Sequence, residues 1–418
     1  MKKVRIDWNR TEGAWTPSRF YALETADTSV LPAMTAAYGQ ASVLRCVLDV
    51  AAPEDGFSVL AVASAHAKEV LLSLEGGYAA SAEEYKAAVL PILRRAEELC
   101  PALTYVEVVC APREAGISDD GYYACYRGAY HAIARLARPL KLGGCGVEDL
   151  LNRADVWLSF LENLAKDKDP EKRLDFYSYR EALQDYPVRI WLMHEAHIAW
   201  LREFDLPTLP IFLDGLTLTR REELTGEREE NGRNAASVIT AVIAATEWPE
   251  FSLFARSVLD PAPAYTQFCK TEEGFRTTAN AHAVRMLASL EGERLTCDII
   301  EESWPPQKDI VAVKQDGALS VLLCNPTDEP TYIKFTVADI PYKKLKIHKY
   351  LVDSKHNTSG EALYATDGIY QSPTKIKNSE NVEMLGGADT REELDGTVTV
   401  ECNLREHAFC LFTLEPYA

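Results

Sequence analysis

The sequence has no CxxC pair among its ten cysteines, no basic excess, no low-complexity tract and no repeat of fixed period. It also has no apolar run approaching the ~20 residues of a membrane span. Scattered, unpaired thiols argue against a disulfide framework or a zinc site and suit a reducing, cytoplasmic setting. Lys+Arg 44 against Asp+Glu 63 leaves a net charge of -19. Such a surface repels phosphate backbones and anionic lipid heads, so neither nucleic acid nor a membrane is expected as partner. The opening Met1-Lys2-Lys3-Val4-Arg5-Ile6-Asp7-Trp8 carries a basic pair, but charge returns at Arg5 and Asp7 before any signal-peptide core can build. No cofactor is called for.

What is present is 418 residues of ordinary globular composition, 47% hydrophobic and 26% charged, enough for one large domain and one smaller. From residue 18 strand-like and helix-like segments alternate, as in a parallel sheet with crossover helices. The strands read as Arg19–Glu24, Ser42–Val50, Glu69–Glu75, Thr104–Cys110, Pro139–Gly143, Leu174–Tyr179, Pro210–Asp214 and Phe251–Ser257. Between them Ala82–Leu99 repeats Tyr85, Val89, Ile92, Leu93 and Ala96 at helical spacing, and Asp120–Ala137, Asp149–Ala165, Arg180–Phe204, Asn234–Thr246 and Thr277–Leu290 read as helices. Eight such units predict a (β/α)8 TIM barrel over residues 18–290.

After Glu291 the texture becomes short alternating strands separated by turn signals such as Gln315-Asp316-Gly317 and Asn325-Pro326-Thr327-Asp328. Residues 295–418 are expected to form a C-terminal β-sandwich, joined by an N-terminal strand over residues 3–9.

The sharpest landmark is Thr104-Tyr105-Val106-Glu107-Val108-Val109-Cys110-Ala111-Pro112-Arg113-Glu114, a β-branched and aromatic run stopped by proline. It resembles the fourth barrel strand of the retaining clan A glycosidases, most closely glycoside hydrolase family 39. The family ends that strand in Trp-Asn-Glu-Pro, the Glu being the general acid/base. Here Val109-Cys110-Ala111-Pro112 puts alanine in its place. At the seventh strand the family reads roughly Leu-Pro-x-x-x-Thr-Glu-Trp, and Leu209-Pro210-Ile211-Phe212-Leu213-Asp214-Gly215-Leu216 puts Gly215 at the nucleophile position. Asp353-Ser354-Lys355-His356-Asn357 and Gln371-Ser372-Pro373-Thr374 are similar to segments of the family's sandwich.

The resemblance implies a glycosidase scaffold without its hydrolytic pair, since retaining chemistry needs two carboxyl groups about 5 to 5.5 Å apart. Asp214, Glu75 and Glu114 are the candidate substitute carboxylates. Strand alternation turns Asp214 away from position 215 unless the strand bulges. Arg45 matches the family's second-strand arginine, and a buried arginine needs a carboxylate, either Glu107 or Asp49. The rim residues that would contact a saccharide or oligosaccharide are Arg45, Asp49, Glu75, Tyr177, Tyr179, Arg180 and Asp214. The same residue types occur at any barrel rim, so a binding module, an active glycosidase with other carboxylates, and a structural subunit of a homo-oligomer or of an assembly with an active homologue all remain open.

Three further features read as structural. His194-Glu195-Ala196-His197 lacks zincin spacing and sits in a Trp- and Leu-rich helix, so packing is preferred over a metal site. Cys110 has no histidine nearby, and the acidic run from Glu222 to Glu230 is a solvated segment or a lid.

Overall fold

The structure, a computed structural model, describes residues 2–15, 21–23, 27–109, 118–182, 189–217, 230–254, 258–259, 265–272, 274–300, 309–354, 356, 388–391 and 394–417. A long first strand, β1 (Lys2–Trp15), precedes the barrel. The barrel follows as β2 (Tyr21–Leu23), α1 (Leu31–Tyr38), β3 (Ala41–Asp49), α2 (Glu54–Ala63), β4 (Ala67–Glu75), α3 (Ala82–Leu99), β5 (Leu103–Val108) and α4 (Asp119–Ile133). It continues through β6 (Lys141–Glu148), α5 (Ala154–Lys166), β7 (Phe176–Ala182), α6 (Arg189–Glu203), β8 (Ile211–Thr217), α7 (Glu230–Ala245) and β9 (Phe251–Phe254). A hairpin, β10 (Phe268–Thr271) and β11 (Gly274–Thr277), leads to α8 (Ala279–Ser289).

Strands β2 to β9 pair in consecutive order, all parallel in the registers observed. Alternation decides which residues face inward. Val43, Leu71, Tyr105, Phe176 and Phe212, drawn from β3, β4, β5, β7 and β8, meet in one buried cluster, so the sheet curls round on itself. Helices cover its outer side. In α3 the apolar face of Tyr85, Val89, Ile92, Leu93 and Ala96 is buried, and the Ser81 hydroxyl accepts from the Glu84 N–H to cap the first turn. From α4, Tyr122 Oη donates to Val108 O (2.8 Å) and Cys145 O (3.1 Å), tying the ends of β5 and β6 together.

The second domain is built from β12 (Gly292–Ile300), β13 (Ile310–Gln315), β14 (Ala318–Cys324), β15 (Thr331–Ala338), β16 (Leu345–Val352), β17 (Asp389–Arg391), β18 (Thr397–Leu404) and β19 (Phe409–Pro416). Its strand order is β17-β16-β19-β14-β13-β12-β1-β15-β18. The sheet folds over a core in which Val4, Ile6, Ile333 and Phe335 meet Leu319, Val321, Phe412 and Leu414, which makes it a sandwich. Phe335 and Phe412 touch edge to face at 5.5 Å across it. The sandwich packs on α7, where Cys324 Sγ donates to Ala236 O at 3.1 Å.

Several sequence expectations need correction. Arg180 belongs to strand β7 rather than to the head of a helix, and α6 begins at Arg189. The fifth barrel strand runs on past the Gly143-Gly144 pair to Glu148, and β10, β11 and β12 are additional strands. Asp353 and His356 form a bridge in which the Asp353 carboxylate accepts from the His356 N–H and also meets its Nδ1, each at 2.8 Å. Residues 371–374 lie outside the described residues. Among those described, no helix is long and apolar enough to cross a membrane.

Candidate functional site

The floor of the barrel is aromatic. Phe176 stacks on Phe212 at 4.2 Å, and Tyr105 meets both rings edge-on. Gly143 makes room for this packing: a Cβ there would lie 2.1 Å from the Phe176 ring. The glycine pair of the fifth strand therefore has a steric cause.

One layer higher the interior turns ionic. Arg45 is fully buried, and its Nε donates to Glu107 Oε1 at 3.1 Å. Of the two carboxylates expected for Arg45, Glu107 is the partner. The Ser73 hydroxyl also donates to Glu107. Burial alone would raise the Glu107 carboxyl, but the charge of Arg45 and the hydrogen bond from Ser73 outweigh it and hold the group below its ordinary range. Arg45 has no exposed surface and lies below the mouth.

At the mouth itself Arg180 Nη2 donates to Glu75 Oε1 at 2.8 Å, and Arg45 Nη2 stands 3.9 Å from the same oxygen. The Glu75 side chain keeps 37% of its surface exposed and that of Arg180 keeps 25%. Asp49 neighbours Glu75 in the β3–β4 register; it is exposed, and its Oδ1 accepts from the Ala51 N–H at 2.8 Å.

The seventh barrel strand, β8, has a register shift. Tyr179 pairs with Leu213, but Arg180 pairs with Gly215, which leaves Asp214 as the extra residue of a bulge. The bulge reverses the alternation beyond Leu213, so position 215 faces the same side as Arg180. A Cβ on Gly215 would lie 3.2 Å from Arg180 Cγ and 3.5 Å from its Cδ. The space in front of position 215 is filled by the stem of Arg180.

Tyr177 and Tyr179, expected at the rim, are not there. Ser178 and Arg180 take the inward positions, and alternation sends both tyrosines outward. They are fully buried against Trp157 of α5 at 5.7 and 5.6 Å, and Tyr177 Oη donates to Pro207 O at 3.0 Å. His197 lies in the same layer, 4.9 Å from the Tyr177 ring, and burial pushes its imidazole down from 6.5 to about 3. His194 stacks on Trp248 at 4.5 Å. The histidine pair is packing, and among the described residues no group of three or more His, Cys, Asp or Glu could hold a metal.

A second ionic cluster had no sequence signal. Arg189, at the start of α6, bridges Glu181 and Asp149. Burial pushes the Glu181 carboxyl up to about 7, against the opposing pull of Arg189. Ala111, Cys110, Glu114 and residues 222–229 lie outside the described residues, as does the side chain of Asp214.

The sequence matches no protein-family profile and no curated protein. Solved structures do match over the whole chain. A GH39 enzyme from Xanthomonas axonopodis pv. citri superimposes with a TM-score of 0.70 at 13% identity, covering 99% of this chain and 97% of that one. The chain shares its barrel-and-sandwich fold with that enzyme. A monomeric β-xylosidase from Caulobacter crescentus gives 0.72 at 12% identity, with 100% of both chains covered. The bacterial orthologue of human α-L-iduronidase gives 0.73 at 13%, covering 100% of this chain and 84% of that one. Positions 111 and 215, which the sequence resemblance sets at the ends of the fourth and seventh barrel strands, are alanine and glycine in this chain.

Proposed function

We propose that this chain is a catalytically degenerate family 39 glycosidase that binds a saccharide at the barrel mouth without hydrolysing it. The observation that carries the reading is the packing of Arg180 against Gly215, with its guanidinium engaged by Glu75. A nucleophile at position 215 would need the space that the arginine occupies. Alanine at position 111 has no proton to give a leaving group, and acid/base assistance is worth roughly 10² to 10⁴ in rate. What the mouth keeps is the partly exposed Glu75–Arg180 ion pair beside an exposed Asp49, groups suited to hydroxyls.

One observation favours an active enzyme as second reading: Glu75 stands between two arginines, whose contacts fix where its carboxylate points. A panel of aryl glycosides run beside titration calorimetry with the matching free sugars separates the two. Binding with turnover no faster than a heat-inactivated control supports the first reading. Turnover that disappears in Glu75→Ala or Asp214→Ala establishes the second.

A further inference from the structure

The cysteines of the sandwich contain a pair that the barrel chemistry does not use. Cys402 lies two residues before the end of β18 and Cys410 one residue after the start of β19. These strands do not pair with each other. Cys402 sits opposite Ile333 of β15, whereas Cys410 sits opposite Leu323 of β14 and Leu351 of β16. The chain crosses from one layer to the other between them, and both side chains enter the same apolar core. One rung further along, the two layers are in van der Waals contact through Phe335 and Phe412, Phe335 pairing with Val400. Both thiols are free, and each is near enough to the other to perturb its titration.

We infer that Cys402 and Cys410 form a redox-sensitive cross-link site, closing a disulfide between the two layers of the sandwich when a small-molecule disulfide such as oxidised glutathione is the oxidant. The Cys402 sulfur, as thiolate, attacks one sulfur of oxidised glutathione, forming a mixed disulfide and expelling one glutathione thiolate. Cys410 then gives its proton to solvent and attacks the Cys402 sulfur, so that the Cys402–Cys410 bond forms and the second glutathione leaves. Two protein thiols are oxidised and one glutathione disulfide is reduced to two thiols.

The pair is built for this order of events. The hydrogen bond from Cys410 and then the nearby Lys349 ammonium bring the Cys402 thiol down to about 7, whereas burial pushes Cys410 well up. The first attack therefore belongs to Cys402 and the resolving step to Cys410. Strand β18 is an end strand of the sheet, paired with β15 alone. Edge fraying gives the oxidant access to a thiol that is buried in the closed structure.

Arg405 lies between the two cysteines, so trypsin separates them and only a disulfide keeps the fragments together. The full-length protein is incubated with oxidised glutathione, both in buffer and in urea just below its unfolding transition, then alkylated, digested and mapped without reductant. The expected result is a linked pair of peptides containing Cys402 and Cys410, loss of two titratable thiols, and an upward shift in Tm that dithiothreitol reverses. Cys402→Val and Cys410→Val, which keep the core apolar, should each abolish both the link and the shift. Separate peptides, with the two thiols free or capped by glutathione even in subdenaturing urea, would overturn the inference. So would a Tm shift that survives in either variant.

Discussion

Gly215 and Arg180 face each other across the β7–β8 pair because β8 bulges at Asp214. A strand without that extra residue would turn position 215 toward the helices.

Gly215→Glu should therefore fold, since the obstacle is the flexible stem of Arg180 rather than backbone. The new carboxylate should draw the Arg180 guanidinium away from Glu75, visible in a crystal structure as loss of the 2.8 Å contact. Hydrolysis of aryl glycosides should stay at background in the single variant, because no acid/base stands at Ala111. An unmoved Arg180, with the new side chain outside the mouth, would remove the main support for the degenerate reading.

Arg45→Met leaves the Glu107 carboxylate buried without its cation. The expected loss of stability is about 3 to 5 kcal/mol, read as a lower urea midpoint at neutral pH. Adding Glu107→Leu should return most of it, because an apolar pair of similar volume has no charge to desolvate. Equal destabilisation in the single and double variants would show that packing, not the ion pair, dominates at this layer.

His197 sets an acid limit on the fold. Its folded value of about 3 lies below the ordinary 6.5, so the folded state favours the neutral imidazole. The stability this contributes is complete above 6.5 and is lost as the pH falls toward 3. By linkage the loss is about 3 kcal/mol at pH 4. His197→Phe should flatten the fall in urea midpoint between pH 7 and pH 4. His194, also held low by burial, leaves a residual slope. Identical slopes in the two proteins would contradict this account.

Gly143→Ala drives a methyl group into the Phe176 ring, against a strand that cannot move aside. Overpacking of this kind costs about 1 to 3 kcal/mol or more. Gly143→Ala with Phe176→Leu should be more stable than Gly143→Ala alone, measured by thermal unfolding. If Phe176→Leu only adds to the damage, the glycine is required for some reason other than room for the ring.

The barrel was legible because its strands are apolar on both faces and its helices are amphipathic, as α3 shows through Tyr85, Val89 and Leu93. The Arg45–Glu107 pair was legible for a related reason: a charge in a buried strand has few places to go. The mouth was less legible. The sequence puts Tyr177, Tyr179 and Arg180 near one strand end, but strict alternation forbids all three from facing one way once Arg180 extends the strand. The bulge at Asp214 depends on the pairing of β8 with β7 and leaves no mark in local sequence. Arg189, Glu181 and Asp149 are brought together only by the fold, and no spacing of three such residues announces it.

Strand β1 has a consequence for biosynthesis. It lies between β12 and β15, antiparallel to one and parallel to the other, with Lys2 beside Ile333. A ribosome adding about 5 to 20 residues per second needs tens of seconds to deliver that partner. Through that interval the nascent chain carries an unpaired strand with Val4, Ile6 and Trp8 uncovered, while the barrel can already close behind it. The sandwich is thus the last part of the molecule to mature, and its first strand is the segment a chaperone has longest to hold.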